Sequence, residues 1–251
     1  MRAQTTNAPA RGAGGGYPPF APATGKGGPP PVITEMSLFR GISAEDRARI
    51  FVRGRMMTFV RDEVALAEGE VPDLIFLIAS GQFACRKTAA SGLMFALCQL
   101  NAGTFFGESA LVHGRASEME VTATRRSTVW ALPASDFCAA MEGHPSISRR
   151  LIDEMAVRIG VLATLSFEAA TLKLEARLCR TIQKLALEAD QLRDGGTVRP
   201  APTHAELASM LGTTREVVSR AMMGLARRGV IETRRQEIHI QSVEGLFRSG
   251  R

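Results

Sequence analysis

Ten residues apart, Thr203 with Glu206 and Thr213 with Glu216 each place a hydroxyl three residues before a carboxylate. At that spacing the hydroxyl accepts from a first-turn backbone N–H while the carboxylate reaches back to the cap, so each pair marks a helix start. Gly212 falls between the two predicted helices, where the chain must reverse through a left-handed residue and glycine does so at least cost. Short helices that cross steeply need small or apolar residues at the crossing, and Ala208, Leu211, Gly212, Val218 and Ala221 sit there. Residues 202–229 therefore read as a helix-turn-helix. Its second helix projects Arg215, Glu216, Ser219 and Arg220 from its first turns.

Those four side chains form a set able to read base edges. Arginine donates two parallel hydrogen bonds to guanine, glutamate accepts from cytosine N4, and serine serves a base or a phosphate. The first turns of a recognition helix are the part that meets the major groove. The plainer reading, a solvated helix end with Glu216 as a cap, requires no such set. Downstream, Arg227 and Arg228 close the helix and Gly229 stops it. Residues 230–233 and 238–240 then read as two short strands around Arg234 and Arg235. The expected module is a winged helix-turn-helix for double-stranded DNA. Thr213, Thr214, Arg215, Glu216, Ser219 and Arg220 face the duplex, and Arg234 and Arg235 are set for phosphates.

Charge agrees with that placement. The chain has 251 residues and a formal net charge of +6. From Gly196 onward nine arginines stand against five glutamates, so much of the excess lies in the last quarter. A local basic surface points to a polyanion partner more strongly than overall charge does. The apolar fraction, 45%, is that of an ordinary globular protein. No apolar run approaches the ~18 residues of a membrane span, and the N-terminus lacks the apolar stretch of a signal peptide. A cytoplasmic protein with no membrane partner is expected. Cys85, Cys98, Cys138 and Cys179 form no C-x-x-C pair, and His113, His144, His204 and His239 are scattered. That spacing predicts four reduced, mostly buried thiols and neither a metal site nor a cofactor. No nucleophile–base pair stands out, so an enzyme is not expected.

In chain order, residues 1–34 are a Gly/Pro-rich tail whose composition predicts disorder, and Met36 opens the first folded-looking stretch. Residues 38–50 read as a short helix capped by Ser43. Strand-like runs follow at 55–60, 74–79, 83–88, 94–100, 121–123 and 128–132, separated by turn signals such as Ser80-Gly81. Short strands so spaced suggest an antiparallel roll over residues 35–143. Residues 144–170 switch to helical periodicity, with Ile152, Met155, Ile159, Leu162, Ser166 and Ala169 at alternating steps of three and four, a seam suited to a two-helix homodimer interface. A second amphipathic helix spans 172–189, and a polar linker, 190–202, leads into the winged module, so residues 171–251 form one domain. The fold class is α+β.

A β-roll, a long helix and a winged helix-turn-helix in that order resemble the CRP/FNR family of bacterial transcription regulators. The likeness covers residues 38–242. It rests on Leu38-Phe39-Arg40-Gly41-Ile42, on Ile75-Phe76-Leu77-Ile78-Ala79-Ser80-Gly81, on Gly103-Thr104-Phe105-Phe106-Gly107-Glu108-Ser109-Ala110-Leu111 and on Arg215-Glu216-Val217-Val218-Ser219-Arg220. The resemblance implies an effector pocket built from Phe106, Gly107, Glu108, Ser109 and Ala110, with Glu108 at the position that holds a cyclic nucleotide's ribose. It also implies a loop arginine for the cyclic phosphate, but Ser117 stands at that position with Glu118 and Glu120 beside it, and Arg115 lies elsewhere in the loop. The Thr-Ser pair that contacts adenine in cyclic-AMP receptors is matched by the apolar Leu162 and Ala163. Loss of a charge-assisted bond and the acidic neighbours predict weak or no response to cyclic AMP. No cysteine precedes Cys85, which excludes the N-terminal cluster of the oxygen-sensing branch, and His113 is a lone candidate for haem with no identifiable second ligand.

The resemblance further implies that Glu216 and Arg220 read a shared G·C pair and that Arg215 favours an outer G. The expected half-site combines TGTGA-type and TTGAT-type features, and Ser219 contacts a thymine or a phosphate. The expected function is a homodimeric, sequence-specific transcription regulator on a palindromic site, with RNA polymerase as partner if it activates. The alternative is a small-molecule or redox sensor whose winged domain contacts mainly protein. A recognition helix without base-reading side chains would favour that alternative, and Arg215 and Glu216 stand against it.

Overall fold

The computed structural model describes residues 28–250. The described residues fold as two compact units: residues 28–87 with Cys98–Arg158, and Thr88–Leu97 with residues 159–250.

The first unit is built on strand β3, Leu74–Ser80, which is buried on both faces. Side chains alternate across a strand, so Leu74, Phe76 and Ile78 enter one apolar cluster while Ile75 and Leu77 enter another. Its neighbour β8, Ser127–Pro133, does the same: Val129 and Ala131 join the first cluster, Trp130 and Leu132 the second. The pair is antiparallel, with Phe76 opposite Ala131 and Leu77 opposite Trp130. Strands β1, Arg55–Phe59, and β6, Phe105–Phe106, flank them to complete a four-stranded sheet. A second sheet runs in the order β2, Val64–Leu66, β7, Glu120–Ala123, β4, Gln82–Thr88, and β5, Met94–Asn101.

Phe59, Phe76, Phe83 and Phe106 fill the cluster that both sheets share, with the Phe76 and Phe106 rings stacked at 4.7 Å. The other cluster is closed by helices. They are α1, Pro31–Thr34, α2, Ala44–Phe51, α3, Ala134–Gly143, and the first turns of α4, Pro145–Thr171, which contribute Ile33, Phe51, Phe137 and Ile147.

The expected tail is corrected where the structure describes it. Residues 1–27 lie outside the described part, but Pro31–Thr34 is helical and Ile33 is fully buried. The folded unit therefore starts before Met36, and a buried isoleucine outweighs the local Pro/Gly composition. The expected helix at 38–50 is two pieces, a 3₁₀ turn at Ser37–Phe39 and α2, because Gly41 takes φ +78° between them. Ser43 caps α2 as expected, accepting from the Asp46 N–H at 3.0 Å.

The second unit gathers α5, Leu174–Glu188, α6, His204–Leu211, α7, Arg215–Arg227, and α8, Val243–Ser249, on a sheet of β10, Ile231–Arg234, β11, Glu237–Ile240, and β9, Thr197–Val198. Strand β9 lies inside the stretch expected to be a linker. It is two residues long, too short for any periodicity, and is fixed by pairing with Ile238 and His239.

Thr203 and Glu206 make the full capping box at the start of α6, and Gly212 ends that helix at φ +61°. The second expected box is corrected. Thr214, not Thr213, is the N-cap of α7, and its side chain makes no capping bond. Glu216 is then the second helical residue, one position short of the spacing a box requires.

The difference between the two caps is testable. Thr203→Ala should cost about 0.5–2 kcal/mol of stability, and Thr213→Ala should fall within about 0.5 kcal/mol of the parent. Denaturant titration of both variants reads the contrast.

Candidate functional sites

Helix α7 buries Val218, Met222 and Leu225, spaced four and three residues apart along one face. The opposite face is exposed and carries Arg215, Glu216, Arg220, Met223 and Arg227. Residues three and four apart share a helix face, so Glu216, Arg220 and Met223 form a continuous strip. Ser219 lies at its edge, half-buried, and its hydroxyl is hydrogen-bonded to His204 Nδ1 at 2.9 Å. His204 is the first residue of α6, so the two helices are joined by a polar bond beside their apolar crossing. A hydroxyl offers one donor and two acceptor positions, which leaves Ser219 free capacity toward a ligand.

Glu216 is fully exposed, yet its carboxyl is held below the ordinary glutamate range. Its own backbone N–H is the largest cause, the Thr214 hydroxyl the next, and Arg215 and Arg220 add a smaller attraction. The strip thus presents a fixed anion between cations at neutral pH.

The wing is a tight hairpin in which Arg234 pairs with Glu237, and Gln236 takes a left-handed φ of +57°. Arg235 occupies the turn and is exposed, while Arg234 is partly engaged by Glu232 at 2.9 Å. The expected phosphate contacts are therefore unequal, with Arg235 the less committed of the two.

In the first unit, Phe106 and Gly107 are buried and Glu108, Ser109 and Ala110 are half-buried. Gly107 takes φ +87°, and a Cβ there would stand 2.7 Å from the Leu74 carbonyl oxygen. The short 3₁₀ turn Glu108–Leu111 follows. Glu108 faces Arg158 of α4 at 3.4 Å. Arg158 also donates to the Phe105 carbonyl at 2.6 Å and lies 4.4 Å over the Phe105 ring. Arg158 is not among the residues that the sequence singles out, since nothing local ties it to a residue fifty positions earlier.

Ser117 is buried, and its hydroxyl donates to the Met119 carbonyl at 2.7 Å. It is thus a structural turn residue. Arg115 is exposed in the loop, as is His113. Among the described residues no cluster of three or more His, Cys, Asp or Glu is placed to hold a metal.

On α4, Ile152 and Ile159 are exposed, as are Ala163, Ser166 and Ala169, while Leu162 is half-buried. Met155 instead packs against the apolar cluster of its own unit. The exposed apolar residues of this helix also include Val157, Val161 and Phe167, which lie off the expected seam.

Comparison with known proteins places both units. Residues 56–144 match the cyclic nucleotide-binding domain family, and residues 176–248 match the Crp-like helix-turn-helix domain family. A roll of the first type followed by a helix-turn-helix of the second defines a class of DNA-binding transcription regulators. The Cyclic AMP receptor protein of Thermus thermophilus is 27% identical over 200 residues, covering 77% of this chain and 87% of its own length. The CRP-like cAMP-activated global transcriptional regulator of Mycobacterium tuberculosis is 23% identical over 226 residues, covering 88% and 99%. A solved CooA mutant from Carboxydothermus hydrogenoformans shares the fold, with a TM-score of 0.68 at 18% identity over 79% of this chain and 88% of that one. This chain belongs to the CRP/FNR family of transcription regulators. Among the described residues no helix is long and apolar enough to cross a membrane.

Since bonds to the charged form hold the Glu216 pKa down, removing one should raise it. In Thr214→Val the Glu216 carboxyl should titrate at higher pH than in the parent while staying below the ordinary glutamate value, because its own N–H still donates. Carboxyl-detected NMR titration checks this.

Proposed function

We propose that the protein is a cytoplasmic homodimer that reads a palindromic DNA site through α7, without control by cyclic AMP. The observation that carries DNA reading is the exposed strip of Arg215, Glu216, Ser219 and Arg220, set opposite the buried Val218, Met222 and Leu225. Such a strip offers two bidentate donors, one fixed acceptor and one adaptable hydroxyl to a major groove. Thr213 and Thr214 lie at its entry for backbone contacts, and Arg234 and Arg235 of the wing serve phosphates.

Homodimer formation is supported by the exposed Ile152 and Ile159 on a 27-residue helix. Apolar residues at that exposure stabilise when a second helix covers them. Ser166 and Ala169, both small, allow close approach further along. Met155 supports the helix from its own unit. Two subunits would then present recognition helices one DNA turn apart. If the protein activates, RNA polymerase is the partner it must meet.

Silence toward cyclic AMP rests on Ser117, whose hydroxyl is spent on a backbone carbonyl where a guanidinium would be needed, and on Leu162 and Ala163, which offer an adenine no hydrogen bond. The CRP-type relatives named above carry cyclic AMP in their names, and the reading for this chain rests on its own residues.

The test is equilibrium binding to a duplex with palindromic TTGAT/TGTGA-type half-sites and to a scrambled duplex, at fixed salt, with and without cyclic AMP. Discrimination that is the same in both conditions is expected. Discrimination only with cyclic AMP overturns the pocket reading, and none in either condition overturns the half-site assignment.

Two further outcomes follow from the division of labour. Arg220→Ala or Glu216→Ala should cost about 1–3 kcal/mol on the preferred site and relax choice at one base pair. Arg235→Ala should weaken preferred and scrambled duplexes alike and lower the slope of log affinity against log salt by about one, more than Arg234→Ala does.

A further inference from the structure

Two of the four cysteines meet. Cys85 lies on β4 and Cys98 on β5, hydrogen-bonded neighbours in the second sheet. A tight turn at Ala89–Gly92 joins these strands, so they run antiparallel. Both cysteines pack into the cluster shared by the two sheets, Cys85 two residues from Phe83 and Cys98 two residues from Leu100. Opposed residues of antiparallel strands stand about 4.5–5.5 Å apart from Cα to Cα, inside the window of about 4.4–6.8 Å that a disulfide spans. Gln82 and Asn101, three residues before Cys85 and three after Cys98, are joined by a side-chain hydrogen bond of 2.9 Å across the same two strands, which puts the cysteines at matching positions, and Glu108 and Arg158 are the charged groups that act on both thiols. Cys85 is buried, whereas Cys98 is partly exposed.

We propose that Cys85 and Cys98 form a reversible cross-strand disulfide, a thiol redox site in the roll beside the Glu108–Arg158 pair. The oxidant class is a hydroperoxide. The Cys98 thiolate attacks the outer oxygen, the O–O bond breaks, and the departing hydroxide takes a proton to become water. Cys98 is then a sulfenic acid. Cys85 gives up its proton and attacks the Cys98 sulfur, forming the S–S bond and releasing hydroxide, which that proton converts to a second water. Two thiols lose two electrons and one hydrogen peroxide becomes two waters.

The roles are asymmetric for a physical reason. The neighbouring Cys85 thiol and the charge of Arg158 both favour the Cys98 thiolate against burial, and Cys98 is the one reagents reach. Cys85 is buried beside Cys98, and both neighbour and burial hold its proton on until the sulfenic acid forms next to it. An exposed thiolate attacks and a neighbouring thiol resolves. The remaining thiols are poorer candidates: burial raises Cys138, and burial pushes Cys179 up to about 12.

The test is stoichiometric hydrogen peroxide on the full-length protein, followed by alkylation, proteolysis and mass spectrometry. Trypsin cuts at Arg86 and Lys87, so a disulfide links two separate peptides. The expected product is the Cys85–Cys98 linked pair, reversed by dithiothreitol, with Cys138 and Cys179 alkylated. Cys85→Ser should leave a sulfenic acid at Cys98 that dimedone traps, and Cys98→Ser should leave Cys85 reduced. A Cys98 that proceeds to the sulfinic acid in the unsubstituted chain, or a disulfide using Cys138 or Cys179, overturns the proposal. So does a pair that stays reduced. Comparing far-UV circular dichroism of both serine variants with the parent separates a misfolded roll from an unreactive one.

Discussion

Everything in the first unit depends on the pairing of β3 with β8, two strands that carry apolar side chains on both faces. Ile75, Leu77, Trp130 and Leu132 hold the helices to one side, while Leu74, Phe76, Ile78, Val129 and Ala131 hold the second sheet to the other. A one-residue slip in this pairing would exchange the two sets and mismatch both layers. The same register fixes β6, where Phe105 and Phe106 point into different clusters. Glu108 follows two residues later, and Arg158 grips the Phe105 carbonyl. The stretch from Phe106 to Ala110 is therefore an extension of the core register.

The second unit solves a different problem. Helix α7 must be held firmly on one side and left polar and open on the other. Val218, Met222 and Leu225 do the first, and the strip through Glu216 and Arg220 does the second. The short α6 is kept in place by a capping box at one end and a left-handed glycine at the other. Such local devices offset the small area that an eight-residue helix can bury.

How much of this is legible in the sequence follows from range. The helix-turn-helix, its Gly212 turn, the Ser43 and Thr203 caps and the eight longer strands all announce themselves within a few residues, by periodicity or by cap spacing. Strands of two or three residues, Val64–Leu66, Phe105–Phe106 and Thr197–Val198, carry no period and exist only through their partners. The second cap falls one residue later than its spacing suggests because Thr213 and Thr214 are adjacent and identical, and only backbone geometry separates them. Ile33 reads as part of a tail because the surrounding glycines and prolines dominate composition, whereas burial depends on distant Phe39 and Ile75. The Glu108–Arg158 contact, the thiol pair and the His204–Ser219 bond share one trait: each joins residues on different elements at a separation no local pattern encodes.

The His204–Ser219 bond has a consequence for how such a protein changes its target. The side chain at the edge of the exposed strip is held by a residue on the preceding helix, so under the proposed function the alphabet that α7 presents is spelled partly by α6. Grafting α7 alone onto a relative, or replacing Ser219 by a bulkier group, would strand an imidazole at the crossing and disturb the angle between the helices. Under that function, drift toward a new half-site is a paired change, and the history of position 219 in any lineage should be written together with that of position 204.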